Sequence, residues 1–155
     1  MPQVCLVGEE GVTLRYELLS RETAREALVT YDLREPYENT VAVDTVSLGA
    51  AVALCNDLDW YLARFADAAL VKDDSISGTE WLSRALATAV RDERLNPADT
   101  GRYLRVYGVR EQKGGPPRLV EPMYIARTGD RLPEYDLQDV GDTLRVRVTE
   151  AEFED

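Results

Sequence analysis

The apolar residues of this chain recur with two different periods, and this change of period constrains the fold more than any other feature. They recur at steps of three or four from Leu48 to Ala69 and again from Trp81 to Val90, which predicts two helices. We expect a break in the first at Asn56 and Asp57, and a capping box at Ser77 and Glu80 before the second. In the last third, apolar and polar residues alternate, which predicts strands over 102–109, 119–126 and 143–148.

The first half adds two strands, over 3–7 and 40–46, and a helix capped by Ser20 that runs to Leu28. Alternation predicts a further strand over 12–18, with an early helix as the alternative. We therefore predict one α+β domain over residues 1–155, with a mixed, mainly antiparallel sheet of five or six strands covered by two or three helices. The order of the strands is not readable.

The charges indicate where such a chain functions. Among its 155 residues, 29 are Asp or Glu and 18 are Lys or Arg, so the net charge is -11, and every basic residue except Lys72 and Lys113 is arginine. Excess carboxylates keep a surface hydrated in molar salt, and an apolar fraction of 45% excludes a disordered acidic tail. We predict a halophilic, cytoplasmic protein without a membrane span or signal peptide.

The chain contains no histidine, which excludes Ser/His/Asp triads, Cys/His pairs and histidine-ligated zinc. Cys5 and Cys55 stand apart in apolar segments and form no CxxC pair. We predict that both are reduced, buried, apolar residues, with a disulfide or a redox role as the alternative. No cofactor and no metal site are expected.

Four stretches, over 14–25, 41–55, 60–67 and 142–154, resemble a small family of haloarchaeal proteins of unknown function. The resemblance covers nearly the whole chain. It agrees with the salt-adapted composition and implies no activity, ligand or site residue.

Positive charge is concentrated in residues 101–148, which hold nine basic and seven acidic side chains, a balance of +2 against -13 for the rest. Strand alternation places Tyr103, Arg105 and Tyr107 on one face, and Arg145 and Arg147 share a face of the last strand. Arginine and tyrosine on one sheet face are typical of surfaces that bind anions, so we predict a binding face for RNA or a protein partner. Alternatively, these arginines pair with the abundant carboxylates.

A second candidate site lies where the 40–46 strand meets the following helix, at Asp44, Ser47 and Gly49. Strand ends beside helix N-termini bind small ligands, although Ser47 is equally explained as a helix cap. The leading functional hypothesis is a non-catalytic binding or regulatory module. The alternative is a histidine-free enzyme that uses Asp44 as its acid or metal ligand.

Overall fold

A computed structural model describes residues 1–128 and 142–154 of the chain. Within these residues, seven strands form one mixed sheet in the order β2-β1-β3-β4-β7-β5-β6, and every neighbouring pair is antiparallel except the parallel pair β4 and β7. The α+β class is confirmed, whereas the predicted count of five or six strands is too low. The strands are β1 Gln3–Gly8, β2 Thr40–Asp44, β3 Ala66–Lys72, β4 Trp81–Ser83, β5 Tyr103–Arg110, β6 Arg118–Ala126 and β7 Asp142–Val148.

The described residues also form six α-helices and one 3-10 turn, Pro97–Asp99. Five of the helices contribute buried side chains to one face of the sheet, which is more than the two or three predicted. The sixth follows β7 and packs against β5. The helices are α1 Leu14–Leu19, α2 Glu22–Leu28, α3 Leu48–Asp57, α4 Asp59–Phe65, α5 Arg84–Arg91 and α6 Glu150–Glu154.

Alternate residues of β1 enter two different cores. Val4 and Leu6 face the helices, where Leu14 and Val52 are also fully buried. Cys5 and Val7 face the other side of the sheet. Because both faces of β1 are covered, the segment is apolar throughout, which explains why residues 3–7 were recognisable as a strand.

The second core exists because the sheet curls into a half-barrel. Cys5 on β1 belongs to the same buried cluster as Tyr107 on β5 and Val146 on β7, although β1 and β5 are not neighbours in the sheet. The backbone N–H of Glu38, before β2, donates to the carbonyl oxygen of Pro117, before β6, at 2.8 Å. We call the side of the sheet that is lined by the buried cluster of Cys5, Tyr107 and Val146 the concave face.

Most of the segment 12–18 belongs to helix α1, which begins at Leu14, so the predicted strand is wrong and its helical alternative is right. Leu14 and Leu18 are both fully buried, whereas Tyr16 between them is 67% exposed, which is the pattern of a helix face. The side-chain oxygen of Asn39 accepts a hydrogen bond from the N–H of Leu14 at 2.9 Å. Ser20 ends this helix and does not cap the next one, which begins after Arg21.

Two further segments predicted as helical are strands. The first central helix does break, but at Leu58, directly after the predicted Asn56 and Asp57. Its second part ends at Phe65, and β3 begins at Ala66 because this segment pairs with both β1 and β4. Trp81–Ser83 is strand β4, and helix α5 is capped by Ser83, whose hydroxyl accepts from the N–H of Leu86 at 3.2 Å.

The two cysteines are free and buried, as predicted. Cys5 lies in the concave core and Cys55 in the core beneath the helices. Because the sheet separates the two cores, the alternative of a disulfide between them is wrong.

Candidate functional site

The register between β5 and β7 divides the five residues predicted to form one arginine and tyrosine face. Arg105 lies opposite Val146, whereas Arg145 lies opposite Val106 and Arg147 opposite Leu104. Directly paired residues point to the same side of a sheet, so Arg145 and Arg147 face away from Tyr103, Arg105 and Tyr107. The alternation within each strand is confirmed, but the single face that combines both strands is wrong.

On the helix-bearing side, three arginines converge on Glu80, which is 3% exposed. Arg147 Nε donates to one carboxylate oxygen at 2.8 Å, and Arg127 Nη2 donates to the other at 2.7 Å. Arg145 Nη1 lies 3.7 Å from the second oxygen. We call these four residues the Glu80 cluster.

The Glu80 cluster joins segments that are far apart in sequence. Arg127 also donates to the carbonyl oxygen of Gly101 at 2.7 Å, and Arg147 donates to the Thr100 hydroxyl at 2.9 Å. Burial alone would raise the pKa of Glu80, but the hydrogen bonds from Arg147 and Arg127 outweigh it and lower the pKa. The donors of Arg127 and Arg147 are therefore engaged in holding the fold together at the junction of β4 and β7.

Sequence reasoning missed Glu80, because its spacing from Ser77 resembles a capping box. The Ser77 hydroxyl does accept from the N–H of Glu80 at 3.0 Å, but this contact forms a turn before a strand. The one available signal was a glutamate directly before the apolar pair Trp81 and Leu82.

On the concave face, Arg105 lies among tyrosines. Its guanidinium carbon is 5.5 Å from the centre of the Tyr107 ring, and the register places Tyr124 of β6 directly opposite Arg105. The Nε atom of Arg105 is buried and has no hydrogen-bond partner. Among the described residues, no carboxylate lies within salt-bridge distance, 4.0 Å, of its guanidinium group. We call Tyr103, Arg105, Tyr107 and Tyr124 the Arg105 site.

The tyrosines of the Arg105 site differ in accessibility. Tyr107 is 4% exposed, and burial, as the main cause, raises its pKa to about 12. Tyr103 packs against Phe153 of α6 with the ring centres 4.8 Å apart. Tyr124 is 43% exposed, and sequence reasoning missed it because its place opposite Arg105 depends on a bulge in the β5 and β6 ladder.

A groove of about 1130 Å³ opens beside the Arg105 site and shares Tyr107 with it. One wall is the turn between β1 and α1, and the other is the end of β5 with the first half of β6. Its lining includes the apolar residues Val7, Val12, Tyr107, Leu119, Val120 and Pro122. A smaller cavity of about 200 Å³ lies between α4 and β3.

Asp44, Ser47 and Gly49 line neither of these cavities. Asp44 is exposed at the end of β2, where both its carboxylate oxygens lie 3.1 Å from nitrogens of Arg34. The Ser47 hydroxyl accepts from the N–H of Ala50 at 3.0 Å and so caps α3. A ligand role for these three residues stays a prediction.

In the described part of the chain, no three Cys, Asp or Glu side chains are grouped so that they could hold a metal ion. Nor is any helix there both long enough and apolar enough to cross a bilayer.

Comparison with curated proteins and with solved structures finds no match. A protein-family model described as a family of unknown function, DUF5804, matches residues 2–109. The matched region begins before β1 and ends within β5, so it includes Arg105 and Tyr107 but not β6 or β7. Because this region is more than half of the 155 residues, the chain belongs to the DUF5804 family.

Proposed function

We propose that the chain is a non-catalytic binding module that holds an anionic group of a partner at the Arg105 site. The observation that carries the proposal is the buried, unpartnered Nε of Arg105. A buried donor without an acceptor costs about 1–3 kcal/mol, so an oxygen that accepted a hydrogen bond from this Nε would recover that energy. Burial alone would lower the pKa of Arg105, but Tyr107, a side-chain hydrogen bond with Tyr124 and the charge of Glu152 outweigh it and raise the pKa. Glu152 itself is already bound to the Ser83 hydroxyl at 2.6 Å and to the N–H of Thr149 at 3.0 Å.

The shape of the Arg105 site favours an acidic protein segment over RNA. Base recognition on a sheet needs exposed aromatic faces. Tyr107 is buried and Tyr103 is packed against Phe153, so among the tyrosines of the site only Tyr124 offers an open face. A carboxylate needs no such face, because it forms hydrogen bonds to a guanidinium group directly.

Binding is proposed in preference to catalysis because of the surroundings of Asp44. This carboxylate is paired with Arg34 and lines neither described cavity, so a substrate held in either cavity would not meet it. A general acid must lie within hydrogen-bond reach of the group that it protonates.

We further propose that the protein works in a cytoplasm of high salt. Support comes from the net charge of -11 and the use of arginine at all basic positions except Lys72 and Lys113. At molar salt the Debye length is only about 3 Å, so the mutual repulsion of the carboxylates is weak. The melting temperature should fall steeply as KCl is lowered from molar to millimolar concentration, and a flat series would contradict this proposal.

The binding proposal is tested with Arg105→Gln and the matched control Arg94→Gln, which removes the same charge from an arginine that is 65% exposed at its side chain. In molar KCl, fluorescence anisotropy would follow a labelled glutamate-rich peptide and a labelled RNA oligomer. Loss of a charged hydrogen bond should weaken peptide binding by about tenfold in Arg105→Gln and leave the control unchanged. Binding of the RNA alone, or equal losses in both variants, would contradict the proposal.

A further inference from the structure

The groove on the concave face carries more negative than positive charge. Five carboxylates line it, those of Glu10, Glu35, Glu38, Asp67 and Glu121, against two guanidinium groups, those of Arg110 and Arg118. Arg118 is already shared with Glu38, at 3.9 Å. Within residues 1–128 and 142–154, no basic nitrogen lies within 4.0 Å of the carboxylates of Glu10, Asp67 or Glu121.

Apolar side chains also line the groove. Val7 and Tyr107 are almost completely buried at 8% and 4% exposure, and Val12, Leu119 and Pro122 are partly exposed. An occupant with apolar side chains would remove the exposed parts of Val12, Leu119 and Pro122 from water, a contribution that molar salt strengthens. A volume of about 1130 Å³ slightly exceeds the usual range for small-molecule sites, so the groove suits a chain segment.

One wall of the groove is held in place by Asn39, a residue with a positive φ of 57°. Its side chain accepts from the N–H of Leu14 at 2.9 Å and donates to the carbonyl oxygen of Glu9 at 3.0 Å. Its own carbonyl oxygen accepts from the N–H of Gly8 at 2.9 Å. Because this wall is fixed before binding, little conformational entropy would be lost when an occupant enters.

From these observations we infer that the groove binds an extended segment of a partner protein in which basic side chains alternate with apolar ones. Successive side chains of an extended segment point to opposite sides. The apolar residues would pack on Val12, Leu119 and Pro122, while the basic ones would meet Asp67 and Glu121. The groove adjoins the Arg105 site and shares Tyr107 with it, but the inference does not depend on the anion-binding role proposed for Arg105.

The test uses a labelled peptide of alternating lysine and valine, titrated into the full chain in molar KCl. Asp67→Asn combined with Glu121→Gln removes two groove carboxylates, and Glu26→Gln combined with Asp32→Asn removes two exposed carboxylates elsewhere. Each lost ion pair should weaken binding about threefold, so the groove variant should bind the peptide about tenfold more weakly than the parent. The control variant should bind the peptide with the same affinity as the parent. Glu10→Gln, on an exposed turn, should give a threefold loss by itself, which provides a second reading if the double variant is unstable.

Several outcomes would overturn the inference. The first is that the peptide does not bind, and the second is that the control variant loses as much peptide affinity as the groove variant. The third is that free spermidine displaces the peptide at a similar concentration, which would identify a small organic cation as the occupant. Arg105→Gln should leave this peptide unaffected and weaken only the glutamate-rich one. Failure of the groove inference is therefore distinguishable from failure of the anion-binding proposal.

Discussion

Replacing Glu80 by glutamine would remove the negative charge at the centre of the Glu80 cluster while keeping the shape of the side chain. The side chains of Glu80, Arg127 and Arg147 are only 4%, 16% and 16% exposed. Glutamine keeps one oxygen acceptor but places an NH₂ group where one of these arginines now donates. The variant therefore leaves guanidinium groups largely buried without a counter-charge.

Removing one partner of a buried ion pair costs about 3–5 kcal/mol. Because glutamine retains one acceptor, we expect the lower value, about 3 kcal/mol, which corresponds to a fall in melting temperature of roughly 6–12 °C for a chain of this length. Circular dichroism melts in molar KCl would measure it, with the exposed Glu111→Gln as the control for loss of one charge. If Glu80→Gln melts within about 2 °C of that control, the claim that the cluster holds β4 and β7 together is refuted.

The other predictions concern pH, packing and the thiols. The pKa of Glu80 is lowered in the folded state, so the ionised carboxylate stabilises the fold at any pH above its ordinary pKa. This stabilisation is lost as the pH falls through the lowered pKa. The difference in melting temperature between the parent and Glu80→Gln should therefore shrink on acidification. A difference that does not change with pH would contradict this. Gly8→Ala should destabilise by about 1–2 kcal/mol, because the new Cβ would lie 2.6 Å from Asn39 Nδ2. Denaturant titration would measure this, and Gly78→Ala, which meets nothing within 4 Å, should be neutral. Burial raises the pKa of Cys5 to about 12 and that of Cys55 to about 11, so a thiol reagent at mildly alkaline pH should label neither until denaturant is added. Rapid labelling of the folded chain would contradict this.

The local pattern of apolar and polar residues was sufficient to predict some helices and strands and misleading for others. β1, β2 and the three strands of the last third were predictable because each is an apolar or alternating run in the sequence. Residues 12–18 satisfied both periods, since Leu14 and Leu18 are two steps of alternation apart and also one helical turn apart. The helix has contacts with distant parts of the chain that the local pattern does not contain, among them the hydrogen bond from the N–H of Leu14 to the side-chain oxygen of Asn39, which spans 25 residues.

The sites show the same division between local and long-range information. Alternation correctly grouped Tyr103 with Arg105, and Arg145 with Arg147, but the relative phase of β5 and β7 follows from their pairing and not from either strand alone. Glu80 could not be recognised because its partners Arg127 and Arg147 are 47 and 67 residues away. For the same reason, the sequence could not distinguish an arginine that is bonded to a buried carboxylate, such as Arg147, from one with an unpartnered Nε, such as Arg105.

The central claim is that Arg147 stabilises the fold and Arg105 binds the partner. Its most direct test is to measure, for Arg105→Gln and Arg147→Gln in molar KCl, both the melting temperature and the dissociation constant for the glutamate-rich peptide. Arg105→Gln should weaken binding by about tenfold and lower the melting temperature by less than Arg147→Gln does, because the buried Nε of Arg105 has no partner and the rest of its guanidinium group is bonded to tyrosines and not to a buried carboxylate. Arg147→Gln leaves Glu80 bound to Arg127, so it should cost about 2 kcal/mol, which lowers the melting temperature by roughly 4–8 °C, and binding by the folded protein should be unchanged. The opposite pattern, with binding lost in Arg147→Gln and retained in Arg105→Gln, would contradict the account.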